Sequence, residues 1–162
     1  MDKTNAMRLL DAKKVAYTAY SYAPDITDGE EVARQLNEDA RAVFKTLVTV
    51  SDKGEHAVFC VPVCTTLDLK RAAKAAGYKS VAMIRQKELE PLTGYIHGGC
   101  SPVGMKKRLK TFIDQSAQTF AEIYVSAGKV GQQIRLSPLD LATFIGARFA
   151  DLASEQEPSD GK

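Results

Sequence analysis

The sequence contains no apolar run that approaches the roughly 18 to 20 residues needed to cross a bilayer. Its first residues, Met1-Asp2-Lys3-Thr4-Asn5, are too polar for the apolar region of a secretion signal. Both absences predict a protein that stays in the cytosol and has no membrane partner. Cysteine is scarce: Cys60, Cys64 and Cys100 are an odd number without disulfide-framework spacing, so free thiols are expected. Histidine is scarcer. His56 and His97 leave few options for acid and base catalysis, and no serine, histidine and aspartate form a recognisable triad. Nor is one sign of charge in excess. At a net charge of +2, any phosphate contact must come from local clusters of Lys and Arg, not from an overall field.

What is present reads as one ordinary globular domain. At 162 residues, 44% hydrophobic and 26% charged, the chain can close one core but not two of similar size. The domain is expected over residues 1–153, followed by a polar tail over 154–162 with Pro158 and Gly161. Thr4 to Lys14 predicts a short amphipathic helix capped by Asp2 or Thr4, and the aromatic, β-branched run 15–22 predicts a strand. Thr27-Asp28-Gly29-Glu30 has the form of a capping box opening a helix to about Asn37, with a further helical turn to Ala42. Runs 42–50 and 56–63 read as a hairpin across the polar loop 51–55.

Residues 67–76 read as a helix closed by Gly77, 80–84 as a strand and 86–92 as a short helix. Residues 95–96, 119–125 and 132–136 read as strands, the last two joined by the turn 127–131. Ser137-Pro138 reads as a cap with Pro at the first helical position, opening a final helix to about Leu152. Antiparallel hairpins without steady βαβ alternation predict an α+β fold, with a mixed, curved, barrel-like sheet flanked by helices.

The densest candidate for chemistry is the segment 93–110, in which Gly94, Gly98, Gly99, Pro102 and Gly104 precede Lys106, Lys107, Arg108 and Lys110. Glycines let backbone amides turn inward as a nest of donors for a phosphate or a developing oxyanion, and Ser101 can add a hydroxyl. The same stretch also serves as a tight structural turn, and a short basic run is often only a solvated face. Lys45 lies within an apolar strand run, either aimed into a pocket or pointing outward. His97 and Cys100 are the one nucleophile pair that can be assembled, against the plainer reading of a buried thiol. His56, Cys60 and Cys64 lack zinc-site spacing, and core packing accounts better for the two thiols.

Several segments together carry a family resemblance. They are Val43-Phe-Lys-Thr-Leu47, Leu67-Asp-Leu-Lys70, Thr93-Gly-Tyr95, Gly98-Gly-Cys-Ser-Pro-Val-Gly104, Lys106-Lys-Arg108 and Ile123-Tyr-Val-Ser-Ala-Gly-Lys129. In their order and spacing they resemble the YbaK/EbsC family of editing domains over nearly the whole chain. The resemblance implies a relative of the domain inserted in some bacterial prolyl-tRNA synthetases, one that cleaves the ester between a wrong amino acid and the terminal adenosine of a tRNA. Within the family it is most similar to free-standing Cys-tRNA(Pro)/Cys-tRNA(Cys) deacylases. It implies Lys45, Gly98, Gly99 and Ser101 as the catalytic set, with Tyr22, Pro102, Gly104 and Gln133 contacting the substrate and Lys106, Lys107 and Arg108 contacting tRNA.

It also implies no cofactor, no metal, aminoacyl-tRNA as partner and association with prolyl-tRNA synthetase. The implied chemistry uses the thiol of a cysteinyl substrate as its own nucleophile. The residues leave open a water-based alanyl or seryl deacylase and a module that binds a tRNA end without cleaving it. Three positions depart from the family pattern: Gln133 stands where Cys-specific relatives carry aspartate, and His97 and Cys100 replace apolar loop residues.

Overall fold

A computed structural model of the chain describes residues 2–155. Helix α1, Asn5–Ala12, begins at Thr4, whose hydroxyl accepts the Met7 amide, and it buries Ala6, Met7 and Leu10. Strand β1, Thr18–Ser21, follows. Helix α2, Gly29–Gln35, is capped by Asp28, which accepts from the Glu31 amide, so the cap sits one residue later than the sequence pattern suggested. Beyond it, residues 37–42 form turns and no helical turn, with Asn37 at φ 56°. Strands β2, Phe44–Ser51, and β3, His56–Pro62, form the expected hairpin, in register from Phe44 opposite Pro62 to Val50 opposite His56.

The next strand, β4, Thr65–Leu67, has no counterpart in the sequence reading. Helix α3, Leu69–Ala76, is capped by Asp68 and closed by Gly77. Strand β5, Val81–Met83, and helix α4, Gln86–Thr93, complete the middle of the chain.

The second half departs further from expectation. Residues 95–96 are not a strand: α4 ends at Gly94, and the Tyr95 hydroxyl donates to the Val103 carbonyl at 2.5 Å, pinning the loop. Strand β6, Lys110–Asp114, was hidden in the basic stretch. A 3-10 turn over Gln115–Thr119 then delays strand β7 to Ile123–Lys129, paired with β8, Gln132–Leu136. Helix α5, Pro138–Ile145, opens on the Ser137 cap but stops at Gly146, which adopts φ 71°. The apolar residues expected to continue it go instead into β9, Arg148–Ala150, and the core position Leu152. Strand β10, Ala153–Glu155, takes the first two residues of the expected tail. The remainder of that tail lies outside the described residues.

The strands form a mixed five-stranded sheet in the order β5-β2-β3-β6-β9, a three-stranded sheet β1-β8-β7 and the pair β10-β4. The α+β class is as expected, but the sheets do not close into a barrel. A parallel bridge between Val43 and Tyr124 joins the two larger sheets where β2 begins. One core cluster packs α1 and α5 on β7 and β8 through Leu10, Ile123, Ile134 and Leu141. A second packs α3 on the five-stranded sheet, where Phe59 and Phe112 stack at 5.5 Å. Burying side chains of this size contributes on the order of 2 kcal/mol each. The seam between the two sheets is left for the site.

Candidate functional site

At that seam lies a cavity of about 500 Å³, walled by β2, the N-terminus of α2, the loop after α4, and one side chain each from β7 and β8. Lys45 enters it from β2. Its ammonium is half-buried and donates to the Thr65 carbonyl at 2.7 Å. Burial pulls its pKa below the ordinary lysine value, and the charges of Glu30, Cys64 and Asp28 oppose that shift. Among the described residues Lys45 forms no ion pair within 4 Å. One carbonyl engages one of its three donors, so two are available to a ligand.

The same lining also carries neutral polar groups. Gln133 is only 6% exposed, yet its Oε1 has no hydrogen-bond partner, and the buried Tyr22 hydroxyl has none either. Native interiors satisfy nearly all such groups, because an orphaned one costs roughly 1–3 kcal/mol. Both residues line the cavity. Ser126 faces the same space from β7 while its hydroxyl accepts the Gly128 amide at 3.1 Å.

Gly98 and Cys100 form the loop wall. Gly98 has φ 86°, and a Cβ there would lie 2.6 Å from Thr27 Cγ2, so the loop reaches α2 because no side chain intervenes. Cys100 is 9% exposed, and burial, reinforced by nearby Cys60, pushes its thiol up to about 12. It is therefore protonated near neutral pH and a poor nucleophile. His97 also lines the cavity but is an exposed residue.

The remaining predicted residues lie elsewhere. Gly99 packs against the β7–β8 turn, where a Cβ would meet the Val130 amide nitrogen at 3.1 Å. Ser101 is fully buried and accepts the Val103 amide. Pro102, Gly104, Lys107 and Arg108 border a separate, smaller cavity of about 170 Å³ with Phe144. Lys106, Lys107 and Arg108 are all exposed. The geometry thus gathers Tyr22, Lys45, Gly98 and Gln133 in one chamber and leaves the basic run on a neighbouring surface.

Comparison with known proteins agrees with this architecture. Residues 23–144 match the profile of the aminoacyl-tRNA editing domain, which spans every cavity element except the start of Tyr22's segment. The chain belongs to the aminoacyl-tRNA editing domain family. A member from Enterococcus faecalis, provisionally named the Cys-tRNA(Pro)/Cys-tRNA(Cys) deacylase EbsC, is 44% identical over 156 residues, 95% of each chain. A proline–tRNA ligase of Brachyspira hyodysenteriae is 20% identical over 114 residues, 70% of this chain and 20% of the ligase. A solved structure described provisionally as a trans-editing enzyme for prolyl-tRNA synthetase shares the fold, with TM-score 0.80, 23% identity, and coverage of 94% of this chain and 99% of that one.

The editing domain's cavity also holds residues that the sequence reading took only as a cap. Thr27, Asp28 and Glu30 place two carboxylates on the wall that faces Lys45. Nothing in a helix-start pattern signals that its first turn will border a site, because the nearness of α2 to β2 is set by the sheets. Ser126 was visible only as part of a turn motif. Among the described residues of this editing domain, no cluster of three or more His, Cys, Asp or Glu could hold a metal ion, and Cys60, Cys64 and Cys100 are free. No described helix is long and apolar enough to cross a membrane.

Proposed function

We propose that the chain is a trans-editing deacylase that frees tRNA from a wrongly attached amino acid, with Cys-tRNA(Pro) as its preferred substrate. The observation that carries the reading is the cavity's lining. A half-buried ammonium with free donors and two unpartnered polar oxygens share one lining, and the thiol in that lining is held protonated. An aminoacyl ester matches both kinds of group. Its sugar-phosphate side offers anionic oxygen to Lys45, and its α-ammonium offers donors to Gln133 Oε1 and the Tyr22 oxygen. Glu30 and Asp28 add negative charge on the same wall system.

With the Cys100 thiol protonated and His97 exposed, the nucleophile comes from the substrate. The cysteinyl sulfur bonds to its own ester carbonyl, the carbon–oxygen bond to the ribose breaks, and the thiol proton passes to the departing ribose oxygen, leaving a thiolactone and free tRNA. The protein contributes orientation, which is worth several kcal/mol once reacting groups are held in place. Lys106, Lys107 and Arg108 supply phosphate contacts outside the cavity, and Ser101 and Gly99 shape the loop. The kinship with EbsC supports the cysteinyl preference, and the match to a proline–tRNA ligase supports an association with prolyl-tRNA synthetase. Such an enzyme works in the cytoplasm, where charged tRNA is found.

The test is deacylation of tRNA(Pro) charged separately with cysteine, alanine and proline, with Lys45→Ala alongside. Rapid loss of cysteine alone, reduced at least a hundredfold in the variant, is expected. Loss of alanine instead identifies a water-using deacylase. Binding without turnover of any charged tRNA identifies a non-catalytic module.

A further inference from the structure

Lys45 and the carbonyl that holds it belong to different sheets. Lys45 lies in β2 of the five-stranded sheet, whereas Thr65 lies in β4, whose sheet partner is β10. The pairing sets Thr65 opposite Glu155, Thr66 opposite Ser154 and Leu67 opposite Ala153. The acceptor of the 2.7 Å bond from Lys45 is thus carried on a three-residue strand braced by the last strand described. On its own side β4 has one further tie, the Thr65 hydroxyl donating to the Pro62 carbonyl at 2.8 Å.

The path of β10 is fixed mainly by one side chain. Asp114, at the end of β6 and only 4% exposed, accepts the amides of Leu152 at 2.9 Å and Ala153 at 2.8 Å through Oδ1. Its Oδ2 accepts the Ser116 amide at 3.1 Å. Two further bonds complete the clamp: Arg71 Nη1 donates to the Ala153 carbonyl at 2.7 Å, and the Asp68 amide donates to the Leu152 carbonyl at 2.9 Å. A buried carboxylate is costly unless its oxygens are satisfied, and here three backbone donors satisfy it. A charge-assisted acceptor of this kind holds its donors about twice as strongly as a neutral one. The position of the Lys45 ammonium is consequently determined across about forty residues of chain on one side and a hundred on the other, and no residue of the clamp borders the cavity.

We propose that Asp114 is a positioning residue for Lys45, acting through β10 and β4, with Arg71 as its exposed auxiliary. The proposal rests on the reading of Lys45 as the group that meets the substrate. When the clamp is loosened, β4 shifts, the carbonyl leaves the ammonium, and the lysine swings toward solvent. Its titration is governed by burial and by Glu30, Cys64 and Asp28, none of which the variants below alter, so a release registers as a rise toward the ordinary lysine value.

The experiment compares full-length wild type with Asp114→Ala, Asp114→Asn and Arg71→Ala. It reads the Lys45 ε-carbon titration by NMR, with the resonance assigned from Lys45→Ala, and kcat and KM for Cys-tRNA(Pro). Asp114→Asn keeps the Oδ1 acceptor for Leu152 and Ala153 but loses the charge and the acceptor for Ser116, and serves as the partial rescue. Arg71→Ala alters an exposed side chain and folds even if Asp114→Ala does not. Displacements of about an ångström cost on the order of tenfold to a hundredfold in rate. The expected result is a kcat loss of about that size in Asp114→Ala, smaller losses in Arg71→Ala and Asp114→Asn, little change in KM, and an upward Lys45 titration that parallels the losses. Activity losses in folded variants whose Lys45 titration stays at the wild-type value overturn the proposal. If Lys45→Ala itself retains full activity, the role of Lys45 fails first, whatever the titration shows.

Discussion

Cys60 and Cys100 show at the residue scale what burial does to chemistry that composition alone leaves open. Both thiols are pushed from 9.0 up to about 12, chiefly by desolvation. The folded protein therefore keeps these protons while the unfolded chain loses them. Their stabilising effect is complete below pH about 9 and declines as pH rises toward 12, at roughly 1.4 kcal/mol per pH unit for each thiol. Thermal melting followed from pH 8 to 11 is expected to show a falling midpoint, with a shallower fall in Cys100→Ala. An unchanged slope in that variant would count against the buried thiol. The same variant is expected to keep deacylation within about threefold of wild type, since a protonated thiol is no nucleophile.

Gln133 illustrates the opposite case. Replacing its orphaned amide by an apolar group of similar size removes an unsatisfied acceptor, so Gln133→Leu is expected to melt at or above the wild-type temperature while losing about tenfold or more in kcat/KM. Calorimetry and kinetics on one preparation separate the two effects, and a loss of stability in step with activity would argue that the amide is structural. The sequence showed that Lys45 and Gln133 were unusual, but it could not show that they line one cavity, because the two sheets that carry them meet only through long-range pairing such as the Val43–Tyr124 bridge.

Among the elements, most self-contained local signals are legible, although the α2 cap falls one residue later than its pattern and residues 37–42 form no helical turn. The β2–β3 hairpin, the Ser137 cap and the Gly77 stop are settled by residues within a few positions of each other. Other errors fall where pairing is long-range. Strand β6 pairs in parallel with both β3 and β9, and β4 finds its partner at the far end of the chain. Helix α5 was read too long because Ile145, Phe149 and Leu152 keep a helical spacing, although Gly146 in a left-handed conformation ends the helix. A side chain there is strained and would approach Arg108 Nη2 at 3.3 Å, so Gly146→Ala is expected to cost about 1 kcal/mol by denaturant unfolding. Gly98→Ala combines positive φ with the 2.6 Å contact to Thr27. It is expected to cost about 1–3 kcal/mol and to push the loop off α2, raising KM as well as lowering kcat. A variant as stable and active as wild type would show that the loop yields freely.

For the molecule as a whole, the cavity and the basic run divide the labour between chemistry and docking. Lys106, Lys107 and Arg108 are exposed and lie outside the cavity. Their joint replacement by alanine is expected to raise KM for charged tRNA about tenfold and to flatten the salt dependence of binding by up to about three units of log–log slope. Cleavage of a cysteinyl ester of adenosine alone should be unchanged. Equal losses on both substrates would place the run within the cavity's chemistry.

By itself the sequence determined the α+β class, the hairpin, the Ser137 cap, the Gly77 stop and the family, since short-range backbone preferences and motif order are written locally. The tertiary structure alone decided that Asp28 and Glu30 line one cavity with Lys45, that Ser101 is buried outside that lining, and that β10 pairs with the strand carrying the lysine's carbonyl. Those relations depend on how separate sheets pack and on parallel pairing between distant strands, and neither leaves a periodic mark on the residues that make them.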